Sequence, residues 1–152
     1  MKLRITVALF AALSTPVGAT ETKKDDKPII NKPFLPLEAA KTMLVPKGFN
    51  VTLFAAEPDI KQPIGFCIDD RGRLWVAEAN NYPNKKAGKN DCIIILEDTD
   101  GDGAHDKRIV FYDKLEYVSG IEVGFGGAWV MSLPNFYFIP DKNYDGVPDG
   151  EP

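Results

Sequence analysis

The sequence has few cysteines, a single histidine and no long apolar run, and each shortage excludes a class of protein. Two cysteines among 152 residues, without a CxxC or CxxCH pair, exclude a disulfide-stapled miniprotein, a redox pair and a haem attachment site. The formal net charge of −4 lacks the basic excess that phosphate contacts require, so we expect no nucleic-acid partner. Glycine and proline are frequent, at 13 and 12 residues, which predicts many turns.

The first residues have the composition of an export signal. Two basic residues, Lys2 and Arg4, precede an apolar run over 5–13, and cleavage is expected after the small residue Ala19. The apolar run is much shorter than the ~20 residues that span a bilayer, so we expect no transmembrane helix after cleavage. Residues 1–19 are therefore predicted to be a signal peptide, and the protein to be exported to a periplasmic or extracellular location.

The remaining chain divides into a tether and a β-rich body. Residues 20–42 combine three prolines with mixed charges and predict a flexible tether, with one helical turn at Leu37–Thr42. From residue 43 onward, turn residues separate short segments rich in β-formers, and no helical period is sustained. The predicted strands are 48–56, 63–70, 73–79, 91–98, 108–112, 120–125, 127–133 and 135–139. The sequence thus predicts an all-β fold.

The two cysteines lie in predicted strands that are separated by another strand. If neighbouring strands in sequence are also neighbours in the sheet, Cys67 and Cys92 are two strands apart. That separation exceeds the ~7 Å between Cα atoms that a disulfide can bridge. We therefore expect two buried free thiols, although export permits disulfides.

A repeat occurs within the β-rich body. GRLWVAEA at 72–79 matches GGAWVMSL at 126–133, and DTDGDGAHD at 98–106 matches DKNYDGVPD at 141–149. A period of ~40–50 residues, with about four strands each, is typical of β-propeller blades. The alternative is a sandwich in which two similar hairpins recur. The propeller interpretation predicts about two blades of four-stranded antiparallel sheet over residues 43–152, forming the N-terminal portion of a truncated propeller. A strand at Phe49–Ala55 would complete its last blade.

Both copies of the second motif are acidic loops with oxygen donors at alternate positions, as in calcium-binding loops. The first offers the carboxylates of Asp98, Asp100, Asp102 and Asp106 and the carbonyl of Ala104. The second offers the side chains of Asp141, Asn143, Asp145 and Asp149 and the carbonyl of Val147. Neither has the acidic residue at position 12 of an EF-hand. The alternative is that the Asp-Gly pairs only form turns.

Two further polar residues are candidates for a role. His105 lies inside the first acidic loop without a nearby nucleophile, so we expect it to be solvated and structural. Glu78 ends a predicted strand and is either a group that points into a central channel or an ordinary edge charge. No catalytic residue can be assigned from these patterns.

The segment from Pro46 to Pro83, followed by IIILEDTDGDGAHDKRIVFYDKL and GGAWV, resembles one family of propellers. This is the family of membrane-bound dehydrogenases found in Planctomycetes and Verrucomicrobia, whose propeller is related to soluble quinoprotein glucose and sorbosone dehydrogenases. The resemblance covers about 43–152 and includes Glu78 and Tyr82, but it carries no catalytic histidine onto this chain. It implies oxidation of sugar-type alcohols or aldehydes with pyrroloquinoline quinone, in a full-length protein that supplies the missing blades. The alternative function is a calcium-stabilised extracellular module that binds a carbohydrate or protein surface.

Overall fold

The computed structural model describes residues 33–84 and 89–152, which form one short helix and seven strands. These are α1 (Pro36–Thr42), β1 (Pro63–Ile68), β2 (Leu74–Glu78), β3 (Asp91–Glu97), β4 (Lys107–Leu115), β5 (Val118–Val123), β6 (Gly127–Ser132) and β7 (Asn135–Pro140). The predicted signal peptide and the first part of the predicted tether lie outside the described residues. Within the described ranges, no helix has the length and apolar character needed to cross a membrane.

The strands form two antiparallel sheets in which every strand pairs with its neighbour in sequence. The first sheet has the order β1-β2-β3-β4 and the second the order β5-β6-β7. The predicted all-β fold is confirmed, with three strands rather than four in the second sheet. The helical turn predicted at Leu37–Thr42 is also confirmed as α1, which begins with Pro36 in its first turn and has Glu38 near its N-terminus.

A tight hairpin joins β1 to β2, as the sequence Asp-Asp-Arg-Gly predicts. The Asp69 carboxylate accepts hydrogen bonds from the backbone N–H groups of Arg71 (3.0 Å) and Arg73 (2.9 Å). Gly72 has a φ of 82°, a conformation that side chains rarely adopt. The turn therefore depends on one aspartate side chain and one glycine.

Each sheet has two distinct faces. We call the face that carries Trp75 in the first sheet, or Trp129 in the second, the tryptophan face, and the opposite face the aliphatic face. The tryptophan faces carry Trp75, Ala77, Ile93 and Ile95 in the first sheet and Trp129, Met131, Phe136 and Phe138 in the second. The aliphatic faces carry Leu74, Val76, Ile94 and Leu96 in the first sheet and Ala128, Val130, Tyr137 and Ile139 in the second.

The main core lies between the two sheets. It joins the tryptophan face of the first sheet to the aliphatic face of the second, with β1 and β2 packed against β5. Trp75 is 1% exposed and packs edge-on against Phe111, with 4.8 Å between ring centroids. A second core covers the aliphatic face of the first sheet with Phe54, Ala55 and Ile60. Strand β3 is therefore buried on both faces, as its continuous apolar run predicts.

The prediction of a strand at 48–56 is wrong. The chain from Phe49 to Ala56 pairs with no strand and crosses the aliphatic face of the first sheet instead. Phe54 and Ala55 are both buried against that face, and a backbone hydrogen bond from the N–H of His105 to the Phe54 carbonyl (3.0 Å) fixes the segment. Burial of two consecutive residues differs from the alternate burial of a strand, although the apolar sequence resembles one.

Both cysteines are free thiols, and they lie on β1 and β3 with β2 between them, as predicted. Cys92 is buried as predicted, whereas the prediction that Cys67 is buried is wrong, since Cys67 is half-buried. Burial, reinforced by the charge of Glu78, raises the pKa of Cys92 to about 12. Burial, reinforced by the charge of Glu122, raises the pKa of Cys67 to about 12.

We expect both thiols to resist alkylation in the folded protein. At pH 8 the thiolate, which is the reactive form, is scarce for a thiol whose pKa is raised to about 12. Iodoacetamide labelling, followed by mass spectrometry, should be on the order of 1000-fold slower than for free cysteine, and should become fast in urea. Rapid labelling of either cysteine in the native protein would contradict this assignment.

The repeat predicted from sequence has a structural counterpart. Trp75 on β2 and Trp129 on β6 occupy equivalent positions. The register that pairs β2 with β1 and β3 at Trp75 is the register that pairs β6 with β5 and β7 at Trp129. Both first strands also carry a bulge at the same place, between Pro63 and Gly65 in β1 and between Val118 and Gly120 in β5. The acidic loops follow the third strand of each sheet. The second sheet therefore repeats the first three strands of the first.

Candidate metal centre

The first acidic loop, residues 98–106, connects β3 to β4 and curls around the carboxylate of Asp98. That carboxylate accepts hydrogen bonds from the backbone N–H groups of Gly101 (2.7 Å) and Gly103 (2.9 Å). Both glycines have positive φ, 77° and 92°, which permits the tight curl. Desolvation would raise the pKa of Asp98, but the hydrogen bonds from Gly103 and Gly101 outweigh it and lower the pKa.

Three of the predicted ligands come together in this loop. Asp98, Asp100 and Asp106 each place one carboxylate oxygen so that these atoms lie within 4.8 Å of one another. Asp106 is held by the N–H of Thr99 (2.9 Å) and by its hydroxyl (2.8 Å). Asp102 is outside this group, and its carboxylate accepts the N–H of Ala104 (2.8 Å). Carboxylate oxygens at this spacing could hold a metal ion.

The second acidic loop, residues 141–149, repeats this geometry after β7. The Asp141 carboxylate accepts the backbone N–H groups of Asp145 and Gly146, both at 3.1 Å. Asp149 accepts the N–H of Lys142 (2.6 Å), as Asp106 accepts that of Thr99 in the first loop. The N–H of Val147 bonds to Asp145 (2.8 Å), the counterpart of the bond from Ala104 to Asp102.

The loops differ at their third position. The second loop has Asn143 where the first has Asp100, and the Asn143 amide donates to the Asp145 carboxylate (2.9 Å). Among the described residues, a group of three close carboxylate oxygens occurs only at Asp98, Asp100 and Asp106. The first loop therefore has more negative charge to offer a cation than the second.

His105 is structural, but it is half-buried rather than solvated as predicted. Its Nδ1 lies 2.9 Å from the carbonyl oxygen of Phe54, and its Nε2 lies 3.7 Å from the Asp59 carboxylate. The histidine thus ties the first acidic loop to the segment that covers the aliphatic face of the first sheet.

Glu78 is neither of the alternatives that the sequence suggested. It is 1% exposed, and its carboxylate accepts the N–H of Lys61 (2.8 Å) and the Arg108 guanidinium (3.3 Å), with the Cys92 thiol at 3.2 Å. It is therefore an internal group that joins three parts of the chain. Tyr82, in contrast, is 67% exposed.

A polar network that the sequence does not predict reaches the second acidic loop. The Asp69 carboxylate binds the Arg73 side chain (2.7 Å) and the indole N–H of Trp75 (3.0 Å). Arg71 and Arg73 both donate to the carbonyl of Tyr144, at 2.9 and 3.2 Å. Tyr144 has a positive φ of 58°, which turns that carbonyl within the loop. The turn sequence around Asp69 is the one sequence signal for this network, and it indicates only a turn.

Comparison with known proteins gives one family. A family model described as a domain of unknown function (DUF7133) matches residues 35–151. No curated protein and no solved structure matches the chain. The match spans both sheets and both acidic loops. This chain therefore belongs to the DUF7133 family.

Proposed function

We propose that the chain is a calcium-stabilised section of an exported β-propeller, in which the first acidic loop binds Ca²⁺. The observation that carries the proposal is the convergence of three carboxylate oxygens within 4.8 Å of one another. The recurrence of the same loop geometry after the third strand of the second sheet supports it. A turn alone needs only an Asp-Gly pair, not three facing carboxylates.

The propeller part of the proposal is supported by strand order and by the way the sheets pack. Each sheet is a consecutive antiparallel meander, as in a propeller blade, with no crossover between the sheets among the described strands. The tryptophan face of one sheet packs on the aliphatic face of the next. Such packing of unlike faces is what a succession of blades requires, whereas a two-sheet sandwich has no need of it.

Calcium bound in the first acidic loop would stabilise the segment around Phe54, which covers the aliphatic face of the first sheet. Four carboxylates within residues 98–106 repel one another unless a cation neutralises them. His105, in the same loop, holds the Phe54 carbonyl at 2.9 Å. An ordered loop would therefore fix the segment that completes the second core.

Calcium binding is tested by calorimetry and thermal melting of the full chain, with EDTA-treated protein as the reference. We expect heat on Ca²⁺ addition and a higher melting temperature, since an ion that binds only the folded state stabilises it. Asp100→Asn, which copies the second loop, should weaken the affinity about tenfold. Asp113→Asn, which removes a carboxylate from β4 outside both loops, is the matched control. Absence of heat and of a melting shift, or equal affinity in Asp100→Asn, would contradict the proposal.

Dehydrogenase activity with pyrroloquinoline quinone, which the resemblance implies, stays a prediction for a longer protein. No contact among the described residues favours it over binding of a carbohydrate or protein surface. A sugar-dependent dye-reduction assay with added quinone separates the two functions. Turnover would support the dehydrogenase, and glycan binding without turnover would support the binding module.

A further inference from the structure

Strand β7 is an outer strand of the second sheet, and its outer edge carries backbone groups without a strand partner. A hydrogen bond from the Gly124 N–H to the Gly127 carbonyl (3.0 Å) starts an alternation that runs through β6 into β7. It directs the N–H and C=O groups of Tyr137 toward β6 and those of Phe136 and Phe138 away from the sheet. Among the described residues, no strand pairs with this edge. An edge of this kind can accept a further strand.

β7 differs from the other outer strands of the described sheets because nothing in it protects its edge. β4 carries charged residues at both ends, and its pairing is interrupted by bulges. β1 and β5 each contain a bulge, and they pack against each other. β7 has no charged residue, and its register with β6 is unbroken. Charges and bulges are what keep sheet edges from pairing, so β7 is the described strand that remains open to a partner.

The first sheet shows which kind of strand such an edge accepts. There, β4 pairs antiparallel with β3, and the pairing begins where the Asp106 N–H donates to the Glu97 carbonyl (3.0 Å). β7 has the same start, since the Asp149 N–H donates to the Pro140 carbonyl (2.8 Å). The edge of β7 is therefore arranged like the edge of β3 on which β4 lies.

The residues that follow Asp149 turn away from this edge. The Glu151 carboxylate accepts hydrogen bonds from the Tyr112 hydroxyl (3.1 Å) and the Lys114 ammonium (2.7 Å), both on β4 of the first sheet. Residues 150–152 belong to no strand. The place beside β7 that corresponds to the place of β4 is thus not filled by any strand of the described structure.

The surroundings of the edge define the chemistry of a strand that fits it. Phe136 is 61% exposed and stacks on Trp129, so apolar side chains at alternate positions of an added strand would cover the tryptophan face there. The pairing would start beside the second acidic loop, where Asp145 and Asp149 are exposed, and this favours basic residues at the start of the added strand. β4, whose sequence KRIVFYDKL begins with two basic residues, has this pattern.

We propose that the edge of β7 binds an extended segment of a partner polypeptide. The segment runs antiparallel to β7, with basic residues at its start and apolar residues at alternate positions. Main-chain hydrogen bonds to Phe136 and Phe138 provide the affinity, and the aromatic face and the acidic loop select the sequence. The contact requires neither calcium nor catalytic activity, so its test is independent of the test of calcium binding.

The test titrates the full chain, in EDTA, into a fluorescently labelled peptide with the sequence of β4 and measures anisotropy. We expect saturable binding, weakened about fivefold in a peptide with Lys107→Glu and Arg108→Glu. Phe138→Pro in the full chain removes an N–H that points to the edge and none that bonds to β6, and it should weaken binding about tenfold. Phe138→Ala is the matched control: it loses the same ring but keeps the N–H, and it should bind about fivefold more tightly than Phe138→Pro.

Circular dichroism establishes that each variant is folded, and Phe136→Pro with Phe136→Ala is a second pair if one is not. Absence of saturable binding, equal binding of the two peptides, or equal binding by folded Phe138→Pro and Phe138→Ala would each overturn the proposal. A wild type that dimerises and then no longer binds the peptide would also overturn it, because a second copy would occupy the edge.

Discussion

Replacing Asp69 by Asn is expected to lower the free energy of unfolding by about 3–5 kcal/mol, the usual cost of removing one partner of a buried ion pair. The side chains of Asp69 and Arg73 are 2% and 4% exposed, and they are joined at 2.7 Å. Without the carboxylate, the buried Arg73 guanidinium keeps its positive charge but loses its negatively charged partner. The one amide oxygen of asparagine can still accept the two backbone N–H groups that bond to Oδ1. Its NH2 group takes the place of Oδ2, so the Trp75 indole N–H and Arg73 Nε lose their acceptor. Urea unfolding at pH 7 measures the effect.

The loss of unfolding free energy caused by Asp69→Asn should also depend on pH, in a defined direction. Burial alone would raise the pKa of Asp69, but hydrogen bonds from Trp75 and Arg73 and the Arg73 charge outweigh it and lower the pKa below 3.8. The stabilisation is therefore complete above the unfolded value of 3.8 and is lost as the pH falls through the lower folded pKa. The difference between wild type and Asp69→Asn should shrink below about pH 4.

Asp70→Asn is the control for this prediction, because Asp70 is exposed in the same turn. It should change stability by less than about 0.5 kcal/mol. Equal effects of the two substitutions would show that the buried pair with Arg73 is not what stabilises the turn.

Gly127→Ala is the second substitution with a large expected effect, a loss of about 3 kcal/mol or more. Gly127 opens β6, and a Cβ there would collide with the backbone carbonyl of Ile139 and lie 2.8 Å from the ring of Phe138. The carbonyl belongs to the paired strand β7 and cannot move without breaking the ladder. Thermal and urea unfolding measure the loss.

Gly124→Ala provides the comparison within the same hairpin. No atom lies within 4 Å of a Cβ at Gly124, and its φ is not positive. The substitution should therefore be neutral, or stabilising by up to ~1 kcal/mol through the unfolded state. A Gly127→Ala protein as stable as Gly124→Ala would exclude the close packing of β6 on β7.

The strands were predictable because local pattern and tertiary pairing agree in them. The hairpin at Asp69–Arg73, the doubly buried β3 and the repeated tryptophan could all be recognised from residue types and spacing. The acidic loops were predictable as tight turns, since Asp-Gly pairs favour them, and their role as metal ligands stays a prediction. That three aspartates of the first loop would converge and Asp102 would not depends on backbone angles that spacing does not specify.

The predictions that were wrong concern residues whose conformation or exposure depends on tertiary burial. The segment at 48–56 has the alternation of a strand, but its partner is a sheet face rather than another strand, and periodicity does not distinguish these. Glu78 is charged and ends a strand, so the sequence places it at an edge. Its burial depends on Arg108, which is 30 positions away in sequence. Non-local contacts of this kind leave no local signal.

The packing of unlike faces has a consequence for how such a chain can change in evolution. Each sheet has one tryptophan face and one aliphatic face, but Phe54, Ala55 and Ile60 cover the aliphatic face of the first sheet. A duplicated repeat would therefore find a matching surface on the tryptophan face of the second sheet. Repeats can be added or lost on that side without redesign of an interface, whereas a change on the other side would also have to displace the covering residues.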